Sequence, residues 1–245
     1  MLQALLHKKL KASFENRTFK LSEDTLTSSV IGLLQYLPSE ILASILKNAC
    51  GICSSFPLEI GEVIDIRFWE HWDGTNTSNS RLVEPDVLIV TEHYNIIIEA
   101  KKSDERGQYS EQWQKEIKAY RNSYSDDRRE LILIALGGNV SLKEQVLRIG
   151  KDSITIFRAS WFNLLHTISN EIKNQHPIYI KRVLSDIINA FEIHRFFDIE
   201  WVNSLQQCHL NSETITVFSN TGTFSSFHYP CKPLNTKYLN SLWKI

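Results

Sequence analysis

Cysteine is scarce in this 245-residue chain, at four, and glycine and proline number only nine and six. Four cysteines without an export pattern exclude a disulfide-built scaffold and imply a reducing, cytoplasmic setting. The N-terminus MLQALLHKKLKASF puts its charges after a short apolar stretch, the reverse of a secretory signal. No apolar run approaches the roughly 20 residues that span a bilayer, so no membrane partner is expected. Internal repeats, low-complexity tracts and Pro/Gly-rich linkers are absent as well.

An excess of charge is also missing. Lys and Arg total 27 against 28 Asp and Glu, a net charge of -1. A nucleic-acid partner would then have to be held by a local patch or by a second protein. Lys8, Lys9, Lys11, Arg17 and Lys20, opposed by Glu15 alone, form one candidate patch and equally a solvated helix face. Cys50 and Cys53 follow a helical stretch, whereas a thioredoxin-type pair opens a helix whose N-terminus lowers the thiol pKa. Cys208 and Cys231 are too far apart in sequence to complete a zinc site as a second close pair. His71, His93, His166 and His194 show no ligand spacing.

What is present is an alternation of helical and strand patterns. Ser22 reads as the N-cap of a helix with Glu23 and Asp24 in its first turn and Leu26, Val30, Leu33, Leu34 and Leu37 as its buried stripe. Pro38 separates it from a second helix through Lys47. EVIDIRFWEHW reads as a strand with Ile64, Ile66 and Phe68 on one face, and PDVLIV and NIIIEAK as a tight antiparallel hairpin around TEHY. A helix follows with Tyr109, Trp113, Ile117, Tyr120 and Tyr124 on its apolar stripe. ELILIAL is a strand buried on both faces, SLKEQVLRI a short helix, SITIFRA a strand, and two more helices run to about Phe197. The expected fold is α/β, a central mixed sheet flanked by helices over 1–197, with a C-terminal extension over 198–245 carrying one strand at TITVF.

Charges interrupt the two most apolar strands. Glu99 and Lys101 lie two apart and project from one face, while Asp86 opens the neighbouring strand after Pro85. Turn length alone leaves the register open. If Asp86 meets Glu99, two carboxylates and an ammonium converge, and a hard divalent cation such as Mg²⁺ relieves the carboxylate repulsion. The bland alternative is a solvated ion pair on an exposed sheet face.

The pattern Pro85-Asp86, twelve residues, then Glu99-Ala100-Lys101 resembles the PD-(D/E)XK nuclease superfamily, over about residues 20 to 160. That resemblance implies a restriction-endonuclease-like core. It implies that Asp86, Glu99 and the Ala100 carbonyl bind Mg²⁺ or Mn²⁺, and that Lys101 orients or deprotonates the attacking water. Many members carry an acidic ligand on the first helix, a position matched here by Glu23. Some branches support the site with a Gln and an aromatic on the following helix, where Gln112, Glu116 and Tyr120 stand. The spacing differs from the Q-x-x-x-Y of the helicase-linked branch. The implied function is a metal-dependent deoxyribonuclease acting on DNA, of the kind found in restriction, mobile-element or anti-phage systems, with target choice supplied by a partner protein or by the C-terminal extension. The rival expectation is an inactive module that keeps this fold for binding or assembly.

Overall fold

A computed structural model of the chain describes residues 3–4, 21–51, 54–77, 82–104, 107–150, 152–198, 214–215 and 227–228. The chain divides into two compact units, Met1–Asp198 and Ile199–Ile245. The basic residues Lys8, Lys9, Lys11, Arg17 and Lys20, together with Cys53, Cys208 and Cys231, lie outside the described residues.

The first unit is α/β. A six-stranded mixed sheet has the order β1-β4-β5-β6-β8-β7, formed by Val63–Phe68 (β1), Val87–Thr91 (β4), Tyr94–Ala100 (β5), Glu130–Leu136 (β6), Gln145–Ile149 (β7) and Asp152–Ala159 (β8). Trp72–Asp73 (β2) and Leu82–Val83 (β3) form a separate short ribbon. Strands β5, β6 and β8 are parallel, and β1, β4 and β7 run antiparallel to their neighbours. In the second unit Thr214–Ile215 (β9), inside the expected TITVF strand, pairs antiparallel with Phe227–His228 (β10).

Helices cover both faces, and the strand alternation decides which side chains meet which layer. One layer contains Glu23–Leu34 (α1), Ser39–Ala49 (α2), Trp161–Glu171 (α4) and Ile178–Ile193 (α5), packed on Ile89, Ile96, Ile98, Ile134 and Phe157. Ser110–Ser123 (α3) covers the other face through Trp113, Ile117 and Tyr120 against Leu88, Ile97, Leu133 and Ile156. Ser22 caps α1 as its sequence predicts, in a reciprocal capping box with Thr25. Beyond the expected stripe, α1 also buries Thr25, Thr27, Ser28, Ser29 and Ile31, so it is enclosed nearly all round.

Three expectations are corrected. Within the segment read as a short helix, SLKEQVLRI, Gln145–Ile149 forms β7, an edge strand that pairs with β8 around Gly150 at φ +63°. Gln145, Leu147 and Ile149 alternate there with the more exposed Val146 and Arg148, and the pairing decides what local propensity leaves ambiguous. Ile64 does not share the face of Phe68, being 58% exposed against 2%, because a register irregularity between Val63 and Asp65 throws it off the inward face. Tyr109 is 64% exposed, since it is the N-cap of α3 and stands outside the apolar stripe.

Candidate active site

The hairpin register brings the strand charges together. Val87 pairs with Ile98 and Leu88 with Ile97, and continuing that ladder sets Asp86 opposite Glu99. Opposed residues in antiparallel strands share a face, so both carboxyls point toward α3. Both are buried, Asp86 at 8% and Glu99 at 2% exposure.

Each carboxyl is held on several sides. Asp86 Oδ1 accepts from Trp69 Nε1 at 3.1 Å and Oδ2 from the Ala100 N–H at 2.9 Å. Trp69 reaches it from a left-handed backbone at φ +47°, a costly conformation for a bulky residue, stabilised here by its N–H bonding the Asp86 carbonyl at 3.1 Å. Glu99 Oε1 accepts from both Lys101 Nζ and Gln112 Nε2. Gln108 Nε2 holds the Glu99 carbonyl at 2.9 Å, and its own Oε1 accepts from Trp113 Nε1 at 2.8 Å.

Lys101 stands where oxygen atoms collect. Its Nζ contacts Glu99 Oε1, donates to the Ala100 carbonyl at 3.0 Å and lies 3.7 Å from Glu23 Oε1. Glu23 is placed by α1, and its Oε2 accepts from the Lys102 N–H at 2.9 Å. All the sequence-predicted residues Glu23, Asp86, Glu99, Ala100, Lys101 and Gln112 therefore meet at the C-terminal end of β5. Tyr120 does not: its ring packs on Trp72 and Tyr124 in the layer under α3. Among the described residues, no three His, Cys, Asp or Glu side chains are arranged as a ready metal cage. The oxygens around Lys101 Nζ are nevertheless the hard donors that divalent cations of the Mg²⁺ class prefer.

Burial raises the pKa of Asp86 well above the usual carboxylate range, with repulsion from Glu99 adding to it and the Ala100 N–H opposing it. Glu99 is raised for the same reason, with Glu116 as the repelling neighbour and Lys101 opposing. Burial alone would lower Lys101, but Glu99, Glu23 and Asp86 outweigh it and hold the ammonium charged. Glu116, 2% exposed with its Oε2 lacking any hydrogen-bond donor, is pushed by burial from the ordinary 4.5 up to about 7.

The Glu116 shift fixes a sign. The folded chain holds a proton there that the unfolded chain has released, so this contribution to stability is complete below about pH 4.5 and disappears as pH rises through 7. In metal-free buffer the melting temperature is expected to fall from pH 5 to pH 8, Glu116 contributing about 3 kcal/mol and the raised Asp86 and Glu99 carboxyls adding in the same direction. Glu116→Gln should make that slope shallower by the Glu116 share. An unchanged slope in the variant would contradict the assignment.

A glycine keeps the end of the lysine strand clear. Gly137, at φ +71°, passes so close that an added Cβ would sit 2.3 Å from the Lys101 carbonyl and 2.9 Å from Trp161. That carbonyl accepts from Trp161 Nε1 at 2.7 Å. Gly137→Ala must therefore displace Lys101 or Trp161, and should destabilise the fold by about 3 kcal/mol, read as a lower denaturation midpoint. A midpoint equal to the parent's would show that the strand end yields freely.

Cys50 caps α2 in a buried position, and burial with Glu144 nearby pushes its thiol up to about 12. A neutral thiol of this kind is no nucleophile at ordinary pH.

Sequence reasoning missed Gln108 and Trp69. Gln108 precedes α3, and only its reach back to the Glu99 backbone reveals its role; Trp69 is distinguished by its backbone conformation, which the sequence does not display.

The chain is 32% identical over 230 residues to the uncharacterized protein PM0110 of Pasteurella multocida (strain Pm70), a match covering 84% of this chain and 86% of that one. It belongs to that protein's family. No family model and no solved structure matches the chain.

Proposed function

We propose that the chain is a Mg²⁺- or Mn²⁺-dependent deoxyribonuclease with a restriction-endonuclease-like core of the PD-(D/E)XK type. The observation that carries this reading is Asp86 set opposite Glu99 by the hairpin register, with Lys101 bonded to Glu99 beside them. Two buried carboxyls facing one another are costly in a plain structural role. Neutral packing would serve the core better.

Asp86, Glu99, Glu23 and the Ala100 carbonyl would hold the cation, which when bound polarises the phosphate and acidifies a water. The protein's own contribution is orientation and charge. Trp69 and the Ala100 N–H fix Asp86, Gln112 and Gln108 fix Glu99, and the Lys101 ammonium supplies a donor for charge developing on the phosphate or the attacking water. Target choice by a partner protein or by the C-terminal extension, and a role in restriction, mobile-element or anti-phage processes, accord with this reading.

One observation favours a second reading, an inactive binding or assembly module: Lys101 already neutralises Glu99. Incubating purified chain with plasmid, linear and single-stranded DNA in Mg²⁺, Mn²⁺ or EDTA separates the two. Metal-dependent scission supports the nuclease; no scission and no heat on Mg²⁺ titration supports the module.

A further inference from the structure

Beside Lys101 the surface opens into a recess of about 290 Å³, lined among others by Gln108, Tyr109, Trp113, Val140 and Arg158. Gly107 and Gly138 form the wall toward the candidate site. An added Cβ would stand 3.3 Å from Lys101 Cδ at Gly107, and 2.9 Å from Lys101 Cβ at Gly138. Recess and site are thus neighbours across one lysine stem. Gln108 joins them from below, since its side chain bonds both the Glu99 carbonyl and Trp113.

The cation in this recess is poorly compensated. The Arg158 guanidinium lies 5.4 Å from the centre of the Trp113 ring. It donates to the Ser141 carbonyl at 3.3 Å and to Gln145 Oε1 at 2.6 Å, both neutral acceptors. Its buried Nε has no hydrogen-bond partner. A half-buried guanidinium without a carboxylate costs free energy that a bound anion would offset, and its planar fork suits phosphate. Two apolar side chains stand at the same place without cover, Tyr109 at 64% and Val140 at 85% exposure. Tyr109 makes no side-chain capping bond to α3, so nothing in the helix requires its ring there.

Resting on the nuclease reading, we propose that the recess binds one unpaired nucleotide flanking the phosphate at Asp86, Glu99 and Lys101, with its base on Tyr109 and its phosphate toward Arg158. The volume lies at the small end of ligand sites and admits a single nucleotide, whereas a base pair is too large. Stacking on an aromatic face accepts any base, so the site selects strand form rather than sequence. The substrate class is therefore DNA with a single-stranded segment, such as a tail, flap or gap, next to the bond that is cut.

The test is fluorescence anisotropy in EDTA with a tailed duplex and a blunt duplex, on the parent chain, Tyr109→Ala, Tyr109→Trp and Arg158→Gln. Tyr109→Ala should bind the tailed duplex about tenfold more weakly, the scale of one lost base stack, and the blunt duplex equally well. Tyr109→Trp should restore tail binding. Arg158→Gln should reduce the salt slope by about 0.7, one phosphate contact on a single strand. Parent chain that cuts DNA in Mg²⁺ and binds it in EDTA, with Tyr109→Ala as tight as the parent on the tail, overturns the recess and leaves the nuclease standing. Parent chain that binds neither DNA in EDTA and cuts neither in Mg²⁺ or Mn²⁺ overturns the nuclease reading and the recess with it.

Discussion

Glu99→Gln should abolish DNA cleavage, by at least about a thousandfold, while leaving the protein slightly more stable at neutral pH. The loss corresponds to about 4 kcal/mol of barrier, the several kcal/mol that a positioned cation supplies to a phosphoryl centre. The stability gain has a local cause. Glu99 is buried against Glu116, whose Oε2 has no donor. A glutamine keeps an oxygen for Lys101 and Gln112, removes one charge, and offers Glu116 an N–H.

Asp86→Ala should lose cleavage to the same extent with the opposite stability change. Charge repulsion alone argues that removing either carboxyl stabilises the metal-free chain. The geometry divides them. Truncating Asp86 leaves the Ala100 N–H as a buried donor without its acceptor, at about 1–3 kcal/mol, and removes the carboxyl oxygen that the Trp69 indole bonds. Glu99→Gln therefore melts at or above the parent temperature and Asp86→Ala below it. Cleavage on a substrate the parent cuts, with thermal melts of all three proteins, checks both halves. Full activity in either variant would remove the assignment.

The contrast shows what the sequence carries and what it does not. Two-residue spacing put Glu99 and Lys101 on one face, and a short turn made Asp86 their neighbour. Those facts are local and survive folding. The Asp86–Glu99 register, the role of Trp69 and the reach of Gln108 depend on how strands pair and where a backbone turns left-handed, and no spacing encodes them. The misread β7 has the same origin: Gln145 to Ile149 forms a strand because β8 offers an edge. Tyr109 fitted the helical stripe by number, yet it stands one residue outside the helix.

Lys101→Met should bind Mg²⁺ at least as well as the parent and lose turnover by roughly a hundredfold or more, the scale of one lost transition-state donor. The ammonium is drawn to Glu99 Oε1, the Ala100 carbonyl and Glu23, the oxygens a cation would use, so lysine and metal compete for them. Removing the lysine removes the competitor; the carboxylates remain. The stability consequence follows from charge. Asp86, Glu99 and Glu116 then face one another without their cation, and the variant should melt lower than the parent in EDTA and recover in Mg²⁺. Lys102 is the internal control. Its side chain reaches the Leu21 carbonyl at 3.0 Å, away from Glu99, so Lys102→Ala should cleave at nearly the parent rate. Calorimetric Mg²⁺ titration and single-turnover cleavage on both variants decide the matter. Lys101→Met that cuts at the parent rate would remove the lysine from the chemistry, and equal losses in the two variants would assign the effect to the strand end rather than to one ammonium.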